Sequence, residues 1–298
     1  MEKYTLNFEA TGCPNTCMHC YCSDLKRQPE LIPPSDIMVT ARAFRGAMSS
    51  DVGVLLLQEQ TMYPDFITLT KQLRSEGFMR KTNDGLLVTN GFGLARDVDL
   101  LQETSKLFGG IKMTLFGLED EHDRFVSRKG HFNEILKVTQ HAKTLGLNVI
   151  WQLMVSSRNP RQMGDLQALA TQFGVSHSFV TAGYHYSGQL LTNASAIPHQ
   201  GTLDQVTASV YEVAEGSLFT EADFYKGIAE TSDEGIEKVG LTNLYVDSSF
   251  DVYPLSAIRK PYKLGNLRNG LKELVDALKT TIVFPYGSER ERIAPLNH

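Results

Sequence analysis

Gly12-Cys13-Pro14-Asn15-Thr16-Cys17-Met18-His19-Cys20 puts three thiols within eight positions, spaced C-x3-C-x2-C. The 298-residue chain has four cysteines, and the fourth, Cys22, follows two positions later. Thiolates are soft ligands suited to iron–sulfur clusters, zinc or copper(I). Pro14 and Asn15 favour a turn, so the sulfurs can converge from one loop. A structural zinc site is normally closed by four Cys or His ligands. Cys13, Cys17 and Cys20 would then need Cys22 or His19 as the fourth. A cubane cluster offers four irons, and three cysteines leave one open to a substrate or cofactor. A disulfide framework is disfavoured, because neither a signal peptide nor a regular cysteine spacing is present.

Outward from this loop the chain alternates between strand and helix patterns. Tyr4, Leu6 and Phe8 alternate on a strand leading into the loop. Residues 21–34 read as a polar connection ending in Pro33-Pro34. Ser35 reads as an N-cap for a helix through Ile37, Ala41 and Phe44. Val52 to Leu57 is an apolar run expected of a strand buried on both faces. Further strands are expected at Leu86–Thr89, Ile111–Leu115, Val149–Met154 and Ser176–Thr181. Helices follow Pro64-Asp65, then run through Val98–Leu107, Phe132–Leu145 and Met163–Phe173. Asn159-Pro160 reads as a cap with proline at the first helical position. Six strands, each followed by a helical segment, predict an α/β fold with a parallel sheet and right-handed crossovers. The pattern leaves open whether that sheet is flat or curved.

The rhythm changes after residue 182. Helices are expected over Leu203–Ala214, Glu221–Ala229 and Leu271–Leu278. Leu244–Tyr253 reads as a hairpin turned near Asp247-Ser248-Ser249. Residues 1–182 are therefore a core and 183–298 a C-terminal α+β extension. Bulk properties exclude some classes. A net charge of −5 gives no general basic surface for nucleic acid. No apolar run is long enough to span a bilayer. Few cysteines and an oxidisable metal site suit a reducing cytoplasm.

The cysteine spacing, placed near the N-terminus after a strand, resembles the signature of the radical S-adenosylmethionine (radical SAM) enzymes. The resemblance implies a (β/α)6 partial TIM barrel with its cofactors at the C-terminal strand ends. It implies that Cys13, Cys17 and Cys20 hold a [4Fe-4S] cluster whose free iron chelates S-adenosylmethionine. Reductive cleavage would give methionine and a 5′-deoxyadenosyl radical, which abstracts hydrogen from an unactivated carbon.

Further residues match the family pattern. Gln58-Glu59-Gln60 stands where relatives show Gly-Gly-Glu-Pro, so Glu59 aligns with the acid that helps hold the cofactor's ammonium. Thr89-Asn90-Gly91 resembles the family's Thr-Asn-Gly turn. Thr114-Leu115-Phe116-Gly117 and His122-Asp123…Arg128 resemble Ser-Leu-Asp-Gly and a His-Asp…Arg run. Thr114 would supply a cofactor-contacting hydroxyl, and Arg128 would pair with the cofactor carboxylate. Phe116 replaces an acid. His122 reads as a helix-end or surface histidine rather than a base. His19 is expected to pack near the adenine, and Gln152 to meet the ribose or a core partner. Cys22, Tyr184, His185 and Tyr186 are candidate catalytic or pocket-wall residues.

Phe250-Asp251-Val252-Tyr253-Pro254-Leu255 and Leu264-Gly265-Asn266-Leu267 resemble a SPASM or twitch extension. Leu255 stands where such extensions place a cysteine, and no cysteine follows Cys22. The hairpin is expected to be held by packing of Leu244, Val246, Val252, Tyr253 and Leu255, and to act as a substrate lid. The expected substrate is a small polar molecule (sugar, nucleoside or amino acid), since the chain starts almost at its first strand. A ribosomal peptide is the alternative, and a non-catalytic zinc-stabilised α/β binding protein the rival from another class. A flavodoxin or ferredoxin would supply electrons.

Overall fold

The computed structural model describes residues 3–9, 11–17, 20, 30–79, 85–156, 158–181, 243–254 and 263–279. Two arcs of sheet form the wall of an α/β partial barrel. The first has the order β2-β1-β7-β8-β9. Its strands are β1 (Lys3–Phe8), β2 (Asp51–Leu56), β7 (Asn243–Val246), β8 (Asp251–Pro254) and β9 (Gly265–Asn266). The second has the order β3-β4-β5-β6. Its strands are β3 (Leu86–Val88), β4 (Gly110–Leu115), β5 (Asn148–Val155) and β6 (Ser176–Thr181). The ladders joining β1 to β2 and β3 through β6 are parallel, as the alternating pattern predicts. No ladder joins β2 to β3 among the described residues.

Period-two burial shows which way each strand faces. On β5, Val149, Trp151, Leu153 and Val155 are buried while Ile150, Gln152 and Met154 are half-buried. Trp151 packs tilted against Phe173 of α7 (Met163–Phe173) and donates from Nε1 to Thr139 Oγ1 of α6 (His131–Thr144) at 3.0 Å. That face therefore meets the helices, and Gln152 faces the barrel interior. On β1, Tyr4 packs edge-on against Phe44 of α1 (Pro34–Met48), so Thr5, Asn7 and Glu9 point inward.

The extension joins this wall directly. β7 pairs parallel with the free edge of β1, Leu6 opposite Leu244 and Phe8 opposite Val246. β8 and β9 continue antiparallel. Leu244, Val246, Phe250 and Val252 belong to the same apolar core as Tyr4, Leu6 and Phe8. The hairpin turn lies where the sequence puts it, with Asp247 Oδ1 accepting from the N–H groups of Ser249 and Asp251 at 2.9 Å each. A further helix, α8 (Leu271–Lys279), packs against β9 and α1. The helices expected over 203–214 and 221–229 lie outside the described residues, as does Leu255.

Two caps differ from expectation. α1 starts at Pro34 after Pro33, and the Ser35 hydroxyl turns to Asp36 instead of capping. Proline fixes the φ a first helical residue needs and lacks the N–H that would go unpaired there. Asn159 does not cap a helix either. Its amide donates to the carbonyls of Phe116 at 2.6 Å and Met154 at 2.7 Å, tying the ends of β4 and β5 together. Pro160 opens a 3-10 turn before α7.

Candidate active site

The cysteine loop leaves β1 and is docked by its neighbours on three sides. Thr11 Oγ1 donates to the Leu57 carbonyl at 2.7 Å, just beyond β2. Glu59 N–H donates to the Gly12 carbonyl at 3.3 Å. Thr16 N–H donates to the Val126 carbonyl at 3.0 Å, and Cys17 packs against Phe116, Phe125 and Val126. Phe116 stacks on Phe125 with ring centroids 4.4 Å apart, so where relatives carry an acid this chain has a packing residue. The loop sits at the C-terminal ends of the strands, the edge where parallel sheets bind ligands.

Cys13, Cys17 and Cys20 are half-buried free thiols. Burial pushes Cys13 up to about 11, with the charges of Glu59 and Cys20 adding, and burial raises Cys17 further, with Cys20 and Cys13 adding. A thiol so desolvated ionises readily only beside a compensating cation, which a bound metal supplies. Among the described residues no three His, Cys, Asp or Glu side chains are gathered to grip a single metal ion. Three thiols on one loop suit a cluster with an open iron.

Glu59 is buried. Its Oε1 accepts from Thr89 Oγ1 at 2.6 Å, from Thr61 N–H at 3.2 Å and from the Thr61 hydroxyl. Its Oε2 accepts from Asn90 N–H at 2.6 Å. Burial raises its pKa while these four donors act in the opposite sense. Glu59 thus organises the Thr89-Asn90-Gly91 turn. Gln58 before it has φ +65°, a left-handed conformation that suits the glycine found there in relatives. Asn90 reaches the cluster loop, donating from Nδ2 to Cys13 Sγ at 3.3 Å.

The run from His122 to Glu134 is a clamp between α5 (Glu119–Phe125) and α6. Asp123 accepts from Phe132 N–H at 2.9 Å and from Gly130 N–H, capping α6. His122, expected at a surface or helix end, is fully buried, because the rings of Phe116, Phe132 and His131 enclose it, the last stacked on it. Arg128 lies over the Phe92 ring at 4.2 Å, and its Nη2 donates to both oxygens of Glu134. Its Nη1 is buried with no hydrogen-bond partner among the described residues. Thr114 and Gln152 are register partners on β4 and β5, with Thr114 Oγ1 donating to Gln152 Oε1 at 3.3 Å. His19, Cys22, Tyr184, His185 and Tyr186 lie outside the described residues.

Two groups escaped the sequence reading. Glu9, four positions before Cys13, is buried and accepts a hydrogen bond from the Tyr245 hydroxyl of β7. Tyr245 packs against Tyr253 with centroids 5.7 Å apart. Burial and then Glu9 drive the Tyr245 pKa far up, and burial followed by Asp247 pushes Tyr253 up to about 12. The signal was the polar alternation Thr5, Asn7, Glu9 on β1. The second missed group is His131, which shows its place only when α5 and α6 pack.

A strand-bound three-cysteine loop at the C-terminal ends of parallel strands suits an iron–sulfur cluster with one iron left open. The sequence profile of the Radical SAM superfamily matches residues 10–159, and the chain belongs to that superfamily. It is accordingly an enzyme of [4Fe-4S] and S-adenosylmethionine chemistry. Among solved structures, the chain is similar in fold to Streptococcus suis SuiB bound to precursor peptide SuiA. The TM-score is 0.66 at 14% identity, covering 97% of this chain and 67% of that one. SuiB bound to S-adenosylmethionine gives a TM-score of 0.63 at 13% identity, covering 96% and 67%. Native anSMEcpe with bound AdoMet gives 0.61 at 13% identity, covering 92% and 80%. No curated protein matches the chain in sequence. Among the described residues no helix is long and apolar enough to cross a membrane.

Proposed function

We propose that this chain cleaves S-adenosylmethionine reductively and removes hydrogen from an unactivated carbon of a peptide substrate. Cys13, Cys17 and Cys20 would hold the cluster. When bound, the cluster with its cofactor supplies one-electron cleavage of a sulfonium and a carbon-centred hydrogen acceptor. The chain's own residues bind and orient. Arg128 offers Nη1, which has no partner among the described residues, to the cofactor carboxylate, while Nη2 bridges both oxygens of Glu134 and holds the side chain in place. Thr89, Asn90, Thr114 and Gln152 border the remainder of the cofactor, and Glu59 acts by shaping their turn. His19 packs near the adenine. Cys22, Tyr184, His185 and Tyr186 stand for the substrate side. The hairpin of β7 and β8 is a SPASM- or twitch-derived wall of the pocket, built without cluster ligands. Flavodoxin or ferredoxin supplies the electron, in a reducing cytoplasm.

The observation that carries the enzymatic reading is the docked cysteine loop, which leaves the end of β1 and is fastened by backbone hydrogen bonds to Glu59 beyond β2 and to Val126 at the end of α5. The peptide is favoured because likeness to an enzyme crystallised with a precursor peptide extends over 97% of the chain. A small polar substrate is the second reading, favoured by the inward-facing Glu9–Tyr245 and Thr114–Gln152 pairs. Anaerobically reconstituted protein should hold about four irons per chain. Replacing Cys13, Cys17 or Cys20 by Ala should abolish this, and Cys22→Ala should not. With reductant and S-adenosylmethionine it should yield 5′-deoxyadenosine and methionine. Deuterium supplied in a labelled peptide fraction should enter the deoxyadenosine. Transfer only from the small-molecule fraction would exchange the two substrate readings, and an intact cluster without cleavage would remove both.

A further inference from the structure

We propose that the Asn90 amide, braced by the stacked His131–His122 pair, tunes the cluster's reduction potential through the Cys13 sulfur. Cys13 receives a hydrogen bond from Asn90 Nδ2 at 3.3 Å and another from the Asn15 backbone. An electron added to an iron–sulfur cluster spreads negative charge onto its thiolates. A donor at the sulfur stabilises that charge and makes reduction easier, so such bonds are a lever on potential.

The amide is held from three directions. Asn90 Oδ1 accepts from Phe92 N–H at 2.8 Å, and Asn90 N–H donates to Glu59 Oε2 at 2.6 Å. The polar edge of the His131 ring faces the Asn90 backbone, and its one N–H is shared there with Asn15. The tautomers of both histidines follow from their partners. Phe116 N–H donates to His122 Nδ1 at 3.2 Å, so the proton of His122 is on Nε2. That proton is donated to His131 Nδ1 at 2.7 Å, which leaves the proton of His131 on Nε2. His131 Nε2 stands 3.3 Å from the Asn15 side-chain amide. A donor there calls for the carbonyl oxygen of Asn15, and turning the amide satisfies an Oδ1 otherwise buried without a partner among the described residues. The rings are parallel within 7° and both are buried. A fixed line of hydrogen bonds thus runs from the end of β4 to the cysteine loop. No proton moves along it. The electron comes from the external donor and remains on the cluster, so Asn90 and His131 are positioning residues.

The test is a spectroscopically monitored redox titration of reconstituted protein without S-adenosylmethionine, with signal normalised to iron. Asn90→Ala should cut the reduced-to-oxidised ratio at a fixed potential about tenfold, a fall of about 59 mV for a one-electron couple. Asn90→Asp keeps the shape and the acceptor for Phe92 N–H but sets an anion beside the sulfur. It should lower the potential further, whereas a purely structural role predicts rescue. His131→Phe keeps the stack, loses the N–H and should shift the potential less, in the same direction. If Asn90→Ala loses its iron, Asn90→Asp decides. A wild-type or raised potential in Asn90→Asp overturns the proposal, and a wild-type potential in His131→Phe overturns the brace.

Discussion

Tyr245 on β7 gives its hydroxyl hydrogen to Glu9 at the end of β1, although 236 positions separate them. The bond ties the extension to the segment that carries the cysteines. Both residues are buried, so the carboxylate has little water to fall back on. Tyr245→Phe keeps the ring against Tyr253 and removes only the donor. It should cost about 0.5–1.5 kcal/mol, the range for losing one hydrogen bond. Denaturant unfolding with an unchanged m-value is the measurement, and iron content should not change. Equal stability of the two proteins would show that Glu9 is adequately satisfied without the phenol.

This bond also marks where the sequence stops being readable. The strands and helices of the core follow from period-two and period-3.6 burial, and the cysteine loop from its spacing. The hairpin near Asp247 was legible because its turn is local. Its parallel seat on β1 was not, since Leu6 meets Leu244 across most of the chain and no local pattern encodes that partner. The same limit hid His131. A buried histidine on an amphipathic helix looks like a boundary residue until the helix before it is packed. Arg128 and Glu59 were found by resemblance, but their partners Glu134, Thr61 and Thr89 are visible only in the fold.

The stacked histidines make stability depend on acid. Burial, then the Arg128 charge, lowers His131 to about 4, and burial lowers His122 well below its ordinary value. The unfolded chain titrates near 6.5, so between about 6.5 and 4 it binds a His131 proton that the folded chain refuses. Stability is therefore complete above the unfolded value and falls as pH drops through this window. The slope from one such group is about 1.4 kcal/mol per pH unit. His131→Phe should remove that part of the slope in unfolding curves taken across the window. An identical slope in the variant would mean that His131 accepts its proton without unfolding.

Arg128 has two duties that a pair of substitutions separates. Arg128→Ala should weaken S-adenosylmethionine binding by about 1.5–3 kcal/mol, the range for a hydrogen bond to a charged group. Arg128→Lys keeps the charge but has a single nitrogen, so it cannot hold Glu134 while offering a second N–H group, and it loses the planar contact with Phe92. It should recover affinity only in part. Calorimetry on the reconstituted protein measures both. Wild-type affinity in both variants would confine Arg128 to the α5–α6 clamp.

The tightest approach near the site is between α3 (Phe92–Arg96) and the 3-10 turn Gln60–Met62. A Cβ on Gly93 would stand 2.6 Å from Thr61 Oγ1 and 2.9 Å from the Thr61 carbonyl oxygen. The hydroxyl has no easy escape, since it donates to Glu59. Alanine favours a helix over glycine by about 1 kcal/mol, while overpacking costs about 1–3 kcal/mol. Gly93→Ala should therefore destabilise the protein modestly, and the clash should travel through Thr61 to the Glu59 turn that places Asn90. A double-mutant cycle with Thr61→Ala tests the route. Removing the hydroxyl should relieve part of the penalty, leaving the share due to the carbonyl, so the double variant should be more stable than the sum of the singles. Strict additivity would show instead that α3 yields as a body, and that the position of Glu59 does not depend on how closely these two backbones meet.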